Sequence, residues 1–365
     1  MEPGTFAAGP TYDPTTVEDL LSGGVEGAHA GAEAPVFLIG SQRSGTTWLQ
    51  CLLGAHPAIA APQEPEFFTR YVRPWHRAWS HEIRAMADEA SSSRLKGVSS
   101  VMTTAQFAAM VRGAVHAFHA AILELKPGAR VVMEKCPEYH RSVHVITTYL
   151  PEARFIHLVR DGRDVVSSLV AASRGWGRQW APTGVEEAAA MWVRAVENAR
   201  TAKASGRYLE LRYEDLLADG PSVLGSALAF CGAAVDPDEA RALCDRFSFD
   251  ALKTDPSRPY RSLVVGGELT ARLGDSLRFP EGFFREGRAG SWRESWSAVE
   301  RSTFDRVAGD LLVDLGYEKD HAWATLSRRD RVRAALARAR ATTGRVAART
   351  GRAARAARRE LSGKG

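Results

Sequence analysis

Arg43-Ser44-Gly45-Thr46-Thr47 gathers a guanidinium, three hydroxyls and a glycine within five residues. Four apolar residues, Val36 to Ile39, precede it and read as a short buried strand that Gly40 ends. After it, Trp48, Leu49, Leu52 and Leu53 recur at helical spacing. A strand, a glycine turn and a helix N-terminus make an anion cradle, because backbone N–H groups converge there and the helix dipole favours a phosphate. The spacing approaches the nucleotide-triphosphate loop G-x-x-x-x-G-K-[ST]. Gly40 and Gly45 fit, but Thr46 stands where a lysine would reach the β- and γ-phosphates. That argues against a kinase or ATPase. It suits a donor with one terminal phosphate and a cation, Arg43, beside the bridging oxygen.

Further candidates follow along the chain. Glu64 lies in Pro62-Gln63-Glu64-Pro65, where prolines hold the backbone out of a helix. Phe67 and Phe68 come next; as an apolar wall they would raise this carboxyl toward a useful base. Arg130 to Glu134 reads as a strand, and Lys135 at its carboxyl end is placed to point into a ligand crevice. Arg154 to Val159 reads as the next strand, followed by a turn over Arg160 to Asp164 and a helix from Val165 to Ala172. Arg160 and Ser168 then reach one site, and the planar fork of an arginine suits a phosphate. Asp161 and Asp164 are expected to cap that helix and pair with Arg163. His116 and His119 have no third ligand residue and read as helix-surface or core-edge histidines, and His157 as a core histidine.

Together these segments resemble the sulfotransferases that use 3′-phosphoadenosine 5′-phosphosulfate, PAPS. RSGTTW is similar to the family's 5′-phosphosulfate loop, with Arg43 where cytosolic members usually carry lysine. Gln63-Glu64-Pro65-Glu66-Phe67-Phe68 resembles a segment of the glycosaminoglycan members whose glutamate is the catalytic base, and Glu64 matches it. Glu134-Lys135-Cys136-Pro137-Glu138-Tyr139 resembles their EKTPxY or EKSPxY segment, with Cys136 replacing threonine or serine. Cytosolic members carry K-x-H there, with a histidine base, and His140 lacks that spacing. Arg160, Asp164 and Ser168 fit the 3′-phosphate pattern R-x-x-x-D-x-x-x-S. Tyr213, in YEDL, is implied to lie near the adenine, with Trp48 flanking it. Arg285, Gly287, Gly290 and Trp292 match RKGxxGxWK, but Glu286 replaces its lysine, which either weakens the 3′-phosphate grip or leaves Arg288 to serve instead.

The elements that must position these groups are strands alternating with helices. They argue an α/β fold: a P-loop-like parallel sheet flanked by helices on both faces, with ligand at the strands' carboxyl ends. The resemblance names this the sulfotransferase fold. Thr104 to Leu125 and Glu186 to Ala204 read as long helices. Tyr71 to Ser100 is less regular; its Trp75, His76, Arg77 and Trp79 suit sugar stacking or an anionic acceptor, or else a helix covering the core. Residues 250–284 read as an ordered loop closing over the ligand. Residues 1–34 read as a flexible leader without a signal peptide, 35–320 as the sulfotransferase domain and 321–365 as a basic helical or disordered tail.

From Arg328 to Gly365 there are 13 Lys and Arg against 2 acids, a tail charge of +11, whereas the whole chain carries +5. The preceding residues are therefore acidic, at −6, and the basicity does not point to specific nucleic-acid binding. Such a tail suits an anionic membrane surface or a polyanion. Cys51, Cys136, Cys231 and Cys244 form no C-x-x-C pair and read as reduced thiols of a cytoplasmic protein, peripheral to the membrane if the tail docks there.

The expected function is in-line transfer of the sulfuryl group of PAPS to a hydroxyl or amine of an acceptor, a glycan or small metabolite, leaving PAP. The resemblance assigns Arg43, Ser44, Gly45, Thr46, Thr47 and Trp48 to the 5′ side, Arg160, Ser168, Arg285 and Gly287 to the 3′-phosphate, and Tyr213 to the adenine. Glu64 would take the acceptor's proton, and Arg43 and Lys135 would stabilise the charge on the transferring group. No metal is implied. Two alternatives stay open: a nucleotide kinase with a degenerate loop, and a PAP- or anion-binding protein without catalysis.

Overall fold

A strand with apolar residues on both faces must be covered on both, and β1 (Val36–Ile39) is buried at every residue. In the computed structural model, which describes residues 33–87, 96–266, 278–285 and 287–326, β1 is the centre of a five-stranded parallel sheet. The order is β2 (Ile59–Ala60), β3 (Val131–Lys135), β1, β4 (Arg154–Val159), β5 (Tyr208–Arg212). Leu38 pairs with Lys135, the last residue of β3, on one side and with Ile156 on the other, and β4 runs three residues further, to Val159. The chain leaves β1 with β3 on one flank and β4 on the other. A crevice at such a switch point is where open α/β sheets hold ligands.

In chain order the helices are α1 (Thr46–Ala55), α2 (Arg73–Ala87), α3 (Thr104–Glu124), α4 (Val143–Tyr149), α5 (Gly162–Ser173) and α6 (Val185–Arg200). After β5 come α7 (Tyr213–Ala218), α8 (Gly220–Phe230), α9 (Pro237–Arg246), α10 (Phe249–Thr254), α11 (Trp292–Ser295) and α12 (Ala298–Asp314). Strand period two divides β1 between two cores. Val36 and Leu38 pack with Leu49 and Leu52 of α1 and with Leu224 and Leu228 of α8. Phe37 and Ile39 pack with Val111 and Val115 of α3 and Ile146 of α4. A third core, around Trp192 and Phe304, joins α5, α6 and α12. Helices on both faces of a parallel sheet are the arrangement expected from the sequence.

Local signals set the helix starts. Thr103 with Gln106, and Ser297 with Glu300, form capping boxes for α3 and α12. His119 of α3 is buried against the carboxylate of Glu134 at 2.7 Å, and His157 lies 2.6 Å from the Tyr208 hydroxyl, so both are core histidines.

Of the two readings of Tyr71 to Ser100, the helix covering the core holds over Arg73–Ala87, pinned by Trp79, which stacks on Phe107 at 4.4 Å. Other expectations are corrected. Residues 250–284 are not wholly loop, because Ser248 caps α10 and accepts from Ala251 N at 3.4 Å. Glu33, placed in the leader, is tied to the sheet by its N–H to Arg130 O and its carboxylate to Arg130 Nε at 2.6 Å. At the other end Trp323 packs on Trp292 and Phe304, so the domain reaches past residue 320. The leader and tail expected from the sequence otherwise lie outside the described residues. Among the described residues no helix is long and apolar enough to cross a membrane.

Candidate active site

The loop between β1 and α1 is built by contacts that leave no room for side chains. At Gly45 the backbone is left-handed, φ 96°, and a Cβ would stand 2.5 Å from the Tyr213 ring. At Gly40 a Cβ would meet Leu158 O at 2.7 Å. Ser44 is buried beneath the loop, where its N–H and hydroxyl both donate to Ser41 O, at 3.1 and 2.7 Å. Gly45 caps α1 without a side-chain acceptor; Trp48 N–H donates to Gly45 O at 2.9 Å, and the N–H groups of Thr46 and Thr47 at the start of the helix are placed for a ligand.

Arginines converge above the loop. Arg43, itself at φ 71°, donates from Nε to Ser168 Oγ at 3.0 Å and lies over the rings of Phe283 and Trp176, 4.7 and 5.2 Å from their centroids. Arg160 donates to Arg43 O at 3.2 Å and to Arg288 O at 3.0 Å, and its guanidinium covers Tyr213 at 4.2 Å. Its Nε is buried and has no hydrogen-bond partner. Burial, with Arg160 and Arg285 as like charges, pushes the Arg43 pKa down to about 10. Among the described residues no ion pair engages Arg43 or Arg160. Crowded cations without an acid between them suit a multiply charged anion. The sequence places Arg43 beside the bridging oxygen; its Nε bond to Ser168 links that loop to the residues assigned to the 3′-phosphate.

Across the loop, Lys135 is 1% exposed and donates to Thr47 Oγ1 at 3.1 Å and to the Glu64 carboxylate. The expected phenylalanine wall takes another form. Glu66 is left-handed, φ 52°, and the chain then enters a π-helical turn, Phe68–Val72. Phe68 drops into the core against Phe37 at 5.3 Å, while Phe67 stacks on Phe118 at 4.4 Å. The group that Glu64 touches is the Lys135 ammonium. Cys136 next to it is buried, and burial raises its thiol to about 12. His140 is buried under β4 and α6, with Nδ1 3.3 Å from Asn198 Nδ2.

One cavity of about 400 Å³ brings the candidates together. Arg43, Gly45, Thr46, Thr47, Trp48, Glu64, Arg160, Ser168, Tyr213, Arg285 and Gly287 line it, while His140 does not. Ser44 and Lys135 support the lining from below. Trp48 and Tyr213 meet edge to face at 5.7 Å, and Trp48 Nε1 donates to Phe247 O at 2.8 Å. Sequence reasoning missed Gln42 and Glu138, which line the cavity and join through a 2.7 Å bond. It also missed the Phe283-Phe284 pair, whose adjacent aromatics were the available signal. Asp164 does not pair with Arg163. It accepts from Gly290 N, Ser291 Oγ and Trp292 N at 2.6, 2.9 and 3.1 Å, and so pins the Arg285–Trp292 segment over the cavity. Asp161 does cap α5 and pairs with Arg163 at 2.8 Å. Arg288, one of the two alternatives for the missing lysine's role, is held bidentately by Glu294 at 2.8 and 2.7 Å.

With this geometry in place, the relatives are informative. The Sulfotransferase family profile matches residues 35–237, more than half of the chain. The chain belongs to the sulfotransferase family, whose members use PAPS as donor. Mouse sulfotransferase 2A6 is 24% identical over 207 residues, 53% of this chain and 67% of that protein. Zebrafish protein-tyrosine sulfotransferase 1 is 28% identical over 194 residues, 50% of this chain and 48% of that protein. These matches span about half to two thirds of the relatives' length. The crystal structure of mouse sulfotransferase SULT7A1 complexed with PAP superposes with a TM-score of 0.47 and 17% identity, over 78% of this chain and 87% of that one.

Proposed function

We propose that this chain transfers the sulfuryl group of PAPS to a hydroxyl or amine of an acceptor, with Glu64 as general base. The observation that carries the proposal is the shared cavity. Arg43, Arg160 and Arg285 converge at one end, and the Lys135–Glu64 pair meets Thr47 at the loop. In the reaction an acceptor oxygen or nitrogen attacks sulfur, the bond from sulfur to the 5′-phosphate oxygen breaks, and PAP leaves. Glu64 takes the acceptor's proton. Lys135, held by Thr47, shares its ammonium between Glu64 and the transferring sulfonate. The loop amides, with Arg43, take up charge on the departing phosphate. Arg160, Ser168 and Arg285 hold the 3′-phosphate, and Trp48 and Tyr213 flank the adenine.

The basic tail adds a docking function for an anionic membrane surface or a polyanion, in a cytoplasmic setting; its support is the charge of residues 328–365. The donor assignment is tested by titrating PAP against ATP with magnesium, and catalysis by turnover of labelled PAPS. Tighter binding of ATP with magnesium would favour the kinase reading. PAP binding without turnover on any screened acceptor would favour a binding protein.

A further inference from the structure

Arg163, in the first turn of α5, is 1% exposed and does not line the cavity. A buried charge is costly unless it is paired and hydrogen-bonded. Asp161 supplies one partner, 2.9 Å from Nε and 2.8 Å from Nη2. The other is Glu318, 155 residues further along the chain, which accepts from Nη1. The guanidinium also lies over the Trp292 ring at 4.0 Å and the Trp323 ring at 4.7 Å. Those two rings meet edge to face at 5.5 Å. Asp320 accepts from Ala322 N at 2.8 Å and so fixes the short turn, His321–Ala324, that carries Trp323. Neither Glu318 nor Trp323 lines the cavity.

What this cluster holds are the two pieces of chain assigned to the 3′-phosphate. Arg160 directly precedes Asp161. Asp164 directly follows Arg163 and takes the N–H groups of Gly290 and Trp292 at 2.6 and 3.1 Å. Arg160 in turn donates to Arg288 O at 3.0 Å. The start of α5 and the Gly287–Trp292 segment are therefore joined at the cavity by Arg160, and away from it by Arg163 and its rings. Donors bind a phosphate well only where supporting contacts hold them in place. We propose that Glu318 and Trp323 are positioning residues for the 3′-phosphate: through Arg163 and Trp292 they set Arg160 against the Gly287–Trp292 segment. They touch no ligand themselves. The proposal rests on the sulfuryl-transfer reading and extends its 3′-phosphate site to the chain that follows α12.

The test titrates the full chain with PAP and with adenosine 5′-monophosphate, which differs from PAP by the 3′-phosphate alone, well below the melting range. Trp323→Leu should weaken PAP binding about tenfold and Glu318→Gln about threefold, while the monophosphate changes less than about twofold. Trp323→Phe keeps a ring for the guanidinium and should recover most of the PAP affinity. Glu318→Gln preserves side-chain shape at a partly exposed position, so it decides the question even if Trp323→Leu does not fold. Lower melting temperatures with PAP affinity unchanged would show a structural role only and overturn the proposal. Equal losses for the two ligands would overturn it as well, because the effect would not belong to the 3′-phosphate. A wild-type chain that binds both ligands equally would strike the 3′-phosphate site and the sulfuryl-transfer reading themselves, a result distinct from the others.

Discussion

Lys135 donates a hydrogen bond to the carboxylate of Glu64 across 71 residues of chain. β3 ends at Lys135, and the proline-bounded segment after β2 carries Glu64, so the sheet itself brings the base beside the cation. Glu64→Gln keeps the shape and removes the base. It should lower kcat by about 10²–10⁴, the usual worth of general-base help, with PAP affinity near wild type. His140→Ala should cost far less, because that ring is buried away from the cavity lining. Both variants are assayed on one acceptor at saturating PAPS. A near-active Glu64→Gln beside an inactive His140→Ala would transfer the role to the histidine.

Arg160 faces the same cavity without a carboxylate partner among the described residues. Arg160→Ala should weaken PAP binding by about 1–3 kcal/mol, through lost charge-assisted bonds to phosphate. Adenosine 5′-phosphosulfate, which has no 3′-phosphate, should bind almost as before. Calorimetric titration of both ligands decides it: equal losses would show that Arg160 does not read the 3′-phosphate.

Residues 328–365 carry 13 Lys and Arg against 2 acids. Truncation after Ser327 removes the +11 segment and should abolish sedimentation with anionic liposomes while PAPS binding persists. A full-length chain that never sediments with such liposomes would refute membrane docking.

Much of the loop was legible in the sequence because its geometry is local. Gly45 is required by its own φ of 96°, and the strand-glycine-helix order is written in consecutive residues. Lys135 was legible for the same reason, as the last residue of an apolar strand. Asp164 was misread because its neighbour Arg163 offered a local partner, whereas its real partners begin at Gly290, 126 residues away. The reach of Arg43 to Ser168 spans 125 residues and was equally invisible. Phe67 and Phe68 are adjacent, yet a π-helical turn sends them to different neighbours, and no spacing rule distinguishes that turn from a loop.

The burial of His140 has a consequence for acid stability. Burial first, then Arg141 and other nearby cations, lower its pKa from 6.5 to about 4. The unfolded chain therefore takes up this proton before the folded one does. Stability is intact above pH 6.5 and is lost as pH falls from 6.5 toward 4, by about 3 kcal/mol in all. Denaturant melts between pH 7 and 4 should be flatter for His140→Gln by up to one proton's worth of slope. Parallel curves for the two proteins would show that His140 is not held neutral.

α1 carries the cradle at its first turn, and Lys126 secures its other end. The Lys126 ammonium donates to Gly54 O in the last turn of the helix, His56 O at its C-cap and Ile59 O at the start of β2, at 2.7, 2.8 and 2.8 Å, and so ties the helix end to the strand that follows. Lys126→Met keeps the apolar stem and removes all three bonds. Bonds to a charged donor are worth more than neutral ones and do not add fully, so a loss of about 2–3 kcal/mol is expected. Urea melts should show a lower midpoint with an unchanged slope. PAP affinity, measured well below the melting range, should stay near wild type, because the cradle lies about 15 Å away at the far end of the helix. If the midpoint holds and PAP affinity falls, Lys126 acts on the loop and does not secure the helix end.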